Sequence, residues 1–186
     1  MEKVNMEESK LLELLEKHQV PVRTWGKGKA RKVEELMAEL MAGRSTLVNN
    51  GVGLVRLVRV AAVSVCYTLD GPPHLQLKAK KANPQSSKEY PWSMNGVSLY
   101  EKLLRGEDAL DAAMRVLGEF GISGKLSSTT LETKTVWGPK DSIVYPGLQD
   151  RFEKVPVSIF LPRYFYRPKG YRAEGKGAAR FVWVEN

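Results

Sequence analysis

Cysteine and histidine are almost missing from this chain: one cysteine, Cys66, and two histidines, His18 and His74, in 186 residues. A single thiol closes no intramolecular disulfide and builds no multi-cysteine zinc site, and two imidazoles are too few for most metal or triad constellations. Cys66 lies in VAAVSVCYTL, where a small buried hydrophobe is the expected role. No apolar run approaches the roughly 20 residues that a membrane span needs. The opening MEKVNMEESK is acidic and polar, unlike a secretory signal or an Arg-rich transit peptide. Internal repeats and low-complexity tracts are also lacking. The expected setting is reducing and intracellular, with no membrane partner.

Positive charge, by contrast, is in excess. Lys plus Arg number 29 against 21 Asp plus Glu, a net charge of +8. Such a balance favours polyanionic or phosphate-bearing partners, although a plain soluble protein can also be basic. Hydrophobic residues at 42% and charged residues at 27% fit a globular chain with a core of its own.

The hydrophobic pattern predicts helices first and strands afterwards. Leu11, Leu12, Leu14 and Leu15 give one apolar side to a helix over roughly 6–18, stopped by Pro21. RTWGKGKARK follows, and Gly26 and Gly28 with Lys27, Lys29, Arg31 and Lys32 read as a flexible basic linker rather than a phosphate-binding loop. Val33, Leu36, Met37, Leu40 and Met41 are spaced as one helix face, ended by Gly43. From Leu54 to Leu69 the residues become β-branched and alternating, and LQLKAK after Gly71-Pro72-Pro73 reads as a hairpin partner. Asn83-Pro84 and Ser86-Ser87 mark a polar loop leading to Tyr90 and Trp92. Later segments LSSTTLETKTVW, VPVSIFL and ARFVWVEN read as strands, with a turn at Gly138-Pro139 and another in SIVYPGLQ. The expected class is α+β: a mixed sheet flanked by helices, with an N-terminal helical extension over 1–45 and the main domain over 46–186.

The stretch YEKLLRGEDALDAAMRVLGEFGIS, Tyr100 to Ser123, concentrates the chemistry. Leu110, Ala113, Met114 and Leu117 predict a packed stripe, and Glu107, Asp111, Arg115 and Glu119 step by four along another side. Gly121 closes the helix. An Asp111–Arg115 pair is worth only roughly 0.2–0.5 kcal/mol.

This stretch resembles the box of the Nudix hydrolase family, G-x5-E-x7-R-E-U-x-E-E-x-G-U with U apolar. Glu107 and Arg115 keep the E-x7-R spacing, Leu117 fills the apolar place, and Glu119 falls on the first of the paired glutamates. Gly121-Ile122 matches the closing G-U one residue early, and Trp92 and Gly96 resemble the family's approach to its box. The resemblance spans roughly Leu54 to Glu185 and implies a Nudix-like domain. In that family the helical carboxylates hold Mg²⁺ at a diphosphate, which would make Glu119, Glu107 and Asp111 the metal candidates and Glu119, Glu107 and Arg115 the catalytic ones. The departures matter chemically. Glu101 replaces the opening glycine, Val116 the glutamate after the arginine, and Phe120 the second paired glutamate. Mg²⁺ demands an octahedral oxygen shell, and Val116 and Phe120 put an apolar ridge where its ligands should converge. Asp111, Glu101 and Asp108 are the nearby carboxylates that would have to compensate.

The last feature is RYFYRPKGYRAEGKGAAR, which interleaves aromatics with cations. Arg163, Tyr164, Tyr166, Arg167, Lys169, Tyr171 and Arg172 suit stacking on bases and pairing with phosphates. The same alternation also suits a strand with aromatics inside and charges in water. The functional expectation is a Nudix-like module with a degenerate box that binds a nucleotide, RNA or a protein with little or no hydrolysis. Its alternatives are an active Mg²⁺-dependent hydrolase of a nucleoside diphosphate linked to another group, and an unrelated basic α+β domain.

Overall fold

The computed structural model describes residues 8–68, 74–80, 97, 99–124, 126, 128–172 and 180–185. The expected loop features at Gly71-Pro72-Pro73, Asn83-Pro84 and Ser86-Ser87, and the residues Tyr90, Trp92 and Gly96, lie outside them. The described residues form three α-helices, α1 (Glu8–Lys17), α2 (Val33–Met41) and α3 (Ala109–Gly118). Among the described residues, nine strands are β1 (Thr46–Asn49), β2 (Leu54–Thr68), β3 (His74–Lys80), β4 (Leu99–Lys102), β5 (Ser128–Leu131), β6 (Thr135–Asp141), β7 (Gln149–Phe160), β8 (Tyr171–Arg172) and β9 (Arg180–Glu185). The strands pair in the order β5-β7-β2-β3-β9-β8, with β1 and β4 also on β2 and β6 also on β7. The hairpin read from LQLKAK is present, with Cys66 opposite Gln76. Strands β2 and β7 run in the same direction: Arg56 bonds Asp150 near their starts and Leu161 N donates to Cys66 O near their ends. Since the other described registers, such as β3 with β9, are antiparallel, the sheet is mixed and the class is α+β.

The described chain divides into two compact units. One takes its residues from Met1–Val60, Lys102–Glu107 and Lys134–Lys154; the other from Ala61–Glu101, Asp108–Thr133 and Val155–Asn186. The expected 1–45 extension therefore belongs to a unit that also holds the start of the sheet strands β2 and β7.

In the first unit, Leu11 and Leu15 of α1 and Leu36 and Leu40 of α2 share a buried cluster with Trp25, Tyr145 and Leu148. Each such side chain removed from water contributes roughly 1.5–3 kcal/mol. Trp25 satisfies its indole by donating to Pro146 O at 3.0 Å, which anchors the stretch expected to be a linker. Arg31 N further donates to Val144 O at 2.8 Å. The segment is thus a folded loop held by a buried aromatic. Gly147 can only be glycine here: its φ is +91°, and an added Cβ would stand 2.3 Å from Pro21 Cδ.

The same unit buries charge. Glu39, on the face of α2 that holds Leu36 and Leu40, is 6% exposed, and Arg56, in register with Leu54, Val58 and Val60, is 3% exposed. Glu39 Oε2 accepts from Arg56 at 2.8 Å, and its Oε1 accepts from Arg31 at 2.7 Å and Lys102 at 2.8 Å. Arg56 Nε also donates to Asp150 at 2.8 Å and its guanidinium lies 4.9 Å from the Tyr145 ring centre. Burial alone would raise the Glu39 carboxyl's pKa; the Lys102 hydrogen bond and charge, followed by Arg56 and Arg31, outweigh it and hold the group below its ordinary 4.5. Burial opposes the Arg56 charge, but Asp150 and Glu39 keep it protonated.

The second unit packs β2 from Ala61 onward with the end of β7, β3, β5, β8, β9 and α3. Val63, Val157 and Ile159 are fully buried there. Cys66 is a free, half-buried thiol, less enclosed than its apolar setting suggested, and burial pushes its pKa up. Gly138-Pro139 lies inside β6 rather than ending a strand, as a cis peptide at a register shift between Trp137 and Lys140.

Removing one partner from a buried charge network strands the others. Glu39→Ala should therefore lower stability by roughly 3–5 kcal/mol in denaturant melts. Because the Glu39 pKa is depressed on folding, its contribution is present above the ordinary 4.5 and lost as pH falls through the folded value. Glu39→Gln should flatten that acid limb; an unchanged acid limb would mean that the carboxylate is not held by the cations.

Candidate functional site

The box-like helix forms where expected, for local reasons. Asp108 caps α3 by accepting from Asp111 N at 2.8 Å, while Asp111 Oδ2 accepts from Asp108 N at 3.4 Å, a reciprocal capping box. Gly121 ends it at φ +69°, and Ile122 N returns to Leu117 O at 3.1 Å.

The buried face differs from the expected stripe. Ala109, Ala112, Ala113, Val116 and Leu117 are buried, and Phe120 is 7% exposed; Leu110 and Met114 are half-buried. The stripe is rotated toward the alanines, which let a helix approach its neighbours closely. Phe120 meets Phe181 of β9 edge-on at 5.0 Å and Tyr171 at 6.4 Å. So the two positions where the motif requires carboxylates are core positions.

The remaining candidates have other work. Glu107 Oε2 accepts from Leu104 N at 2.7 Å, closing its own loop. Arg115 pairs at 2.8 Å with Glu101, the residue standing at the motif's opening glycine, within the second unit. Asp111 is exposed and serves the cap. Glu119 is the residue just after α3, half-buried. Among the described residues no three His, Cys, Asp or Glu side chains group at metal-holding distance. The residues that match the motif do not fit a two-metal diphosphate site.

The aromatic, basic segment divides into an inner and an outer set. Tyr166 stacks on Tyr67 at 4.4 Å and 15° and lies 5.6 Å from Trp183. Tyr171 is 3% exposed, its hydroxyl donates to Phe165 O, and burial raises its pKa. Trp183 Nε1 donates to Arg167 O at 2.9 Å, pinning the loop to β9. The outer set is Arg163, Tyr164, Arg167, Lys169 and Arg172, all exposed, with Tyr164 at 70%. A short 3-10 turn, Arg163–Phe165, and Gly170 at φ +74° shape the loop that carries them. The Arg167 guanidinium lies over the Tyr171 ring, 5.0 Å from its centre. The loop thus presents four cations and one exposed aromatic on a fixed aromatic base.

Sequence reasoning passed over Glu39, Arg56, Lys102 and Asp150. The signal was there: a carboxylate within an apolar helix face and a cation within an inward strand register require each other. No family model, curated protein or solved structure matches the chain. No described helix is long and apolar enough to cross a membrane.

The burial of Val116 and Phe120 sets a direct expectation. Val116→Glu or Phe120→Glu, which would restore the motif's letters, should each cost more than about 2 kcal/mol and lower Tm by roughly 5 °C or more. Mg²⁺ should not recover that loss. A variant that melts like the wild type would place these positions on the surface.

Proposed function

We propose that this chain is a Nudix-like binding module with a degenerate box, which holds single-stranded RNA through the 163–172 loop and hydrolyses diphosphates weakly or not at all. The observation that carries the reading is the segregation within that loop. Arg163, Arg167, Lys169 and Arg172 face water with Tyr164, while Tyr166 and Tyr171 are spent on fixing the loop. Fixed cations meet phosphates without paying the full cost of ordering, and Tyr164 offers a face on which a base can stack. A cationic loop alone is often only a solvated surface, so the assignment to RNA is tested by its charge dependence. The box supports the absence of hydrolysis in a separate way. Glu107 closes its own loop, Asp111 serves the α3 cap, and two further box positions are apolar and buried.

Binding to a single-stranded RNA oligonucleotide should be measurable at low salt and fall steeply as salt rises. Each backbone contact contributes about 0.7 to the slope of log K against log salt. Arg167→Glu with Lys169→Glu and Arg172→Glu should weaken binding and make that slope shallower by about 2. Tyr164→Ala should weaken binding with the slope unchanged, because it removes stacking and no charge. Indifference to salt and to these charges would remove nucleic acid from the reading. Robust Mg²⁺-dependent turnover of nucleoside diphosphate derivatives, lost in Glu119→Gln, would instead establish the hydrolase.

A further inference from the structure

The loop before α2 and the charge network behind it carry a second inference, independent of the 163–172 loop. Lys27, Lys29, Arg31 and Lys32 fall within six residues and are all exposed. The loop is fixed: Gly26 N donates to Arg31 O at 3.1 Å and Ala30 N to Lys27 O at 3.0 Å. Gly26 at φ +78° and Gly28 at φ +58° supply its turns, and the buried Trp25 anchors its start. These are the properties of a preorganised cationic surface rather than of a linker.

Behind the loop, cations and carboxylates are interleaved. Arg31, Arg56 and Lys102 ion-pair with Glu39 and Asp150, and Arg31 and Lys102 share one oxygen, Glu39 Oε1, at 2.7 and 2.8 Å. Two cationic heads on one oxygen are close neighbours, and both stay partly open to water, at 44% and 31% side-chain exposure. The Tyr145 hydroxyl is buried beside Arg31. Burial, and then the charges of Arg56 and Arg31, hold the Lys102 ammonium below its ordinary 10.5 despite Glu39. Glu34 and Glu35 follow in the first turn of α2; Glu35 Oε2 accepts from Lys32 N at 2.9 Å, so the helix N-terminus is already served by a carboxylate.

We propose that Lys27, Lys29 and Arg31, with Lys102 beside Arg31, form a phosphate-binding site for a phosphate-rich anion. The phosphoryl oxygens of a nucleotide's diphosphate and those of an RNA backbone have the same chemistry, and either would accept from the outward N–H groups of Arg31 and the lysine ammonium groups. Glu39 fixes Arg31 from behind and leaves the outer part of its guanidinium available, a division of donors that a planar fork permits. Affinity from such a site falls with salt because the cations stay exposed.

The test uses the full chain carrying Arg167→Glu, Lys169→Glu and Arg172→Glu, so that the 163–172 loop does not contribute. Inorganic diphosphate is titrated calorimetrically at low ionic strength, and a single-stranded RNA oligonucleotide by fluorescence anisotropy. Adding Lys27→Glu and Lys29→Glu, both exposed and in no ion pair among the described residues, should weaken binding about tenfold with Tm unchanged. Arg31→Gln should weaken it further, with Tm recorded because Glu39 loses a partner. Diphosphate binding lost in these variants supports the site with a nucleotide as its source. Oligonucleotide binding alone, lost in the same variants, supports it with a nucleic-acid backbone as its source. Binding of neither probe, or binding that the Lys27→Glu and Lys29→Glu changes leave intact, overturns it.

Discussion

Glu39 sits on an amphipathic helix, yet its side chain is enclosed and three cations from separate parts of the chain converge on it. Arg31 comes from the loop before α2, Arg56 from the inward register of β2, and Lys102 from the end of β4. Asp150, at the start of β7, takes the other side of Arg56. A hydrophobic contact tolerates small slips, but a buried ion pair does not, because any displaced member is left charged in a poor solvent. The network therefore specifies where the loop, the helix and the strand starts of this unit must lie. It also decides how much cationic surface remains outside: Glu39 engages Arg31 and Lys102 from within, while Lys27, Lys29 and Lys32 stay exposed in the same loop.

The box-like helix illustrates a different constraint, that of packing. Alanines at 109, 112 and 113 with Val116, Leu117 and Phe120 make a continuous apolar face. Once Phe120 packs edge-on against Phe181, its position in the helix is a core position, and a carboxylate there would be buried without a partner. Spacing alone preserves the outline of a motif; the environment of each position decides whether its chemistry is possible. Here Glu101 and Arg115 pair with each other, and Asp108 and Asp111 serve the N-cap. These interactions stabilise the helix and its N-terminus.

Much of the architecture could be read from periodicity, because helices and strands with one wet face announce their period. The helix at Val33–Met41, the long strand from Leu54 and the hairpin partner after it were legible in this way. The rotation of the α3 stripe was not. Leu110 and Met114 are more hydrophobic than alanine, so a pattern ranks them first, whereas close packing selects the small residues. The four-residue strands β1 and β4 are too short to show a period. Of the candidate site, the exposed cations from Arg163 to Arg172 could be read as a group, but which aromatics were structural depended on partners distant in sequence, such as Tyr67 and Trp183. The buried network was missed because single charges in apolar patterns read as solvated until their partners are known.

We propose that α3 is a packing helix whose remaining carboxylates do not assemble a metal site. Paramagnetic broadening of backbone amide NMR signals by micromolar Mn²⁺ tests this most directly, since it reports proximity to a bound ion without requiring turnover. Amides from Arg115 to Ile122 should keep their intensity, apart from the uniform loss that free Mn²⁺ gives at any exposed surface. Selective, saturable broadening centred on Glu119 and Arg115, reversed by excess Mg²⁺, would contradict it.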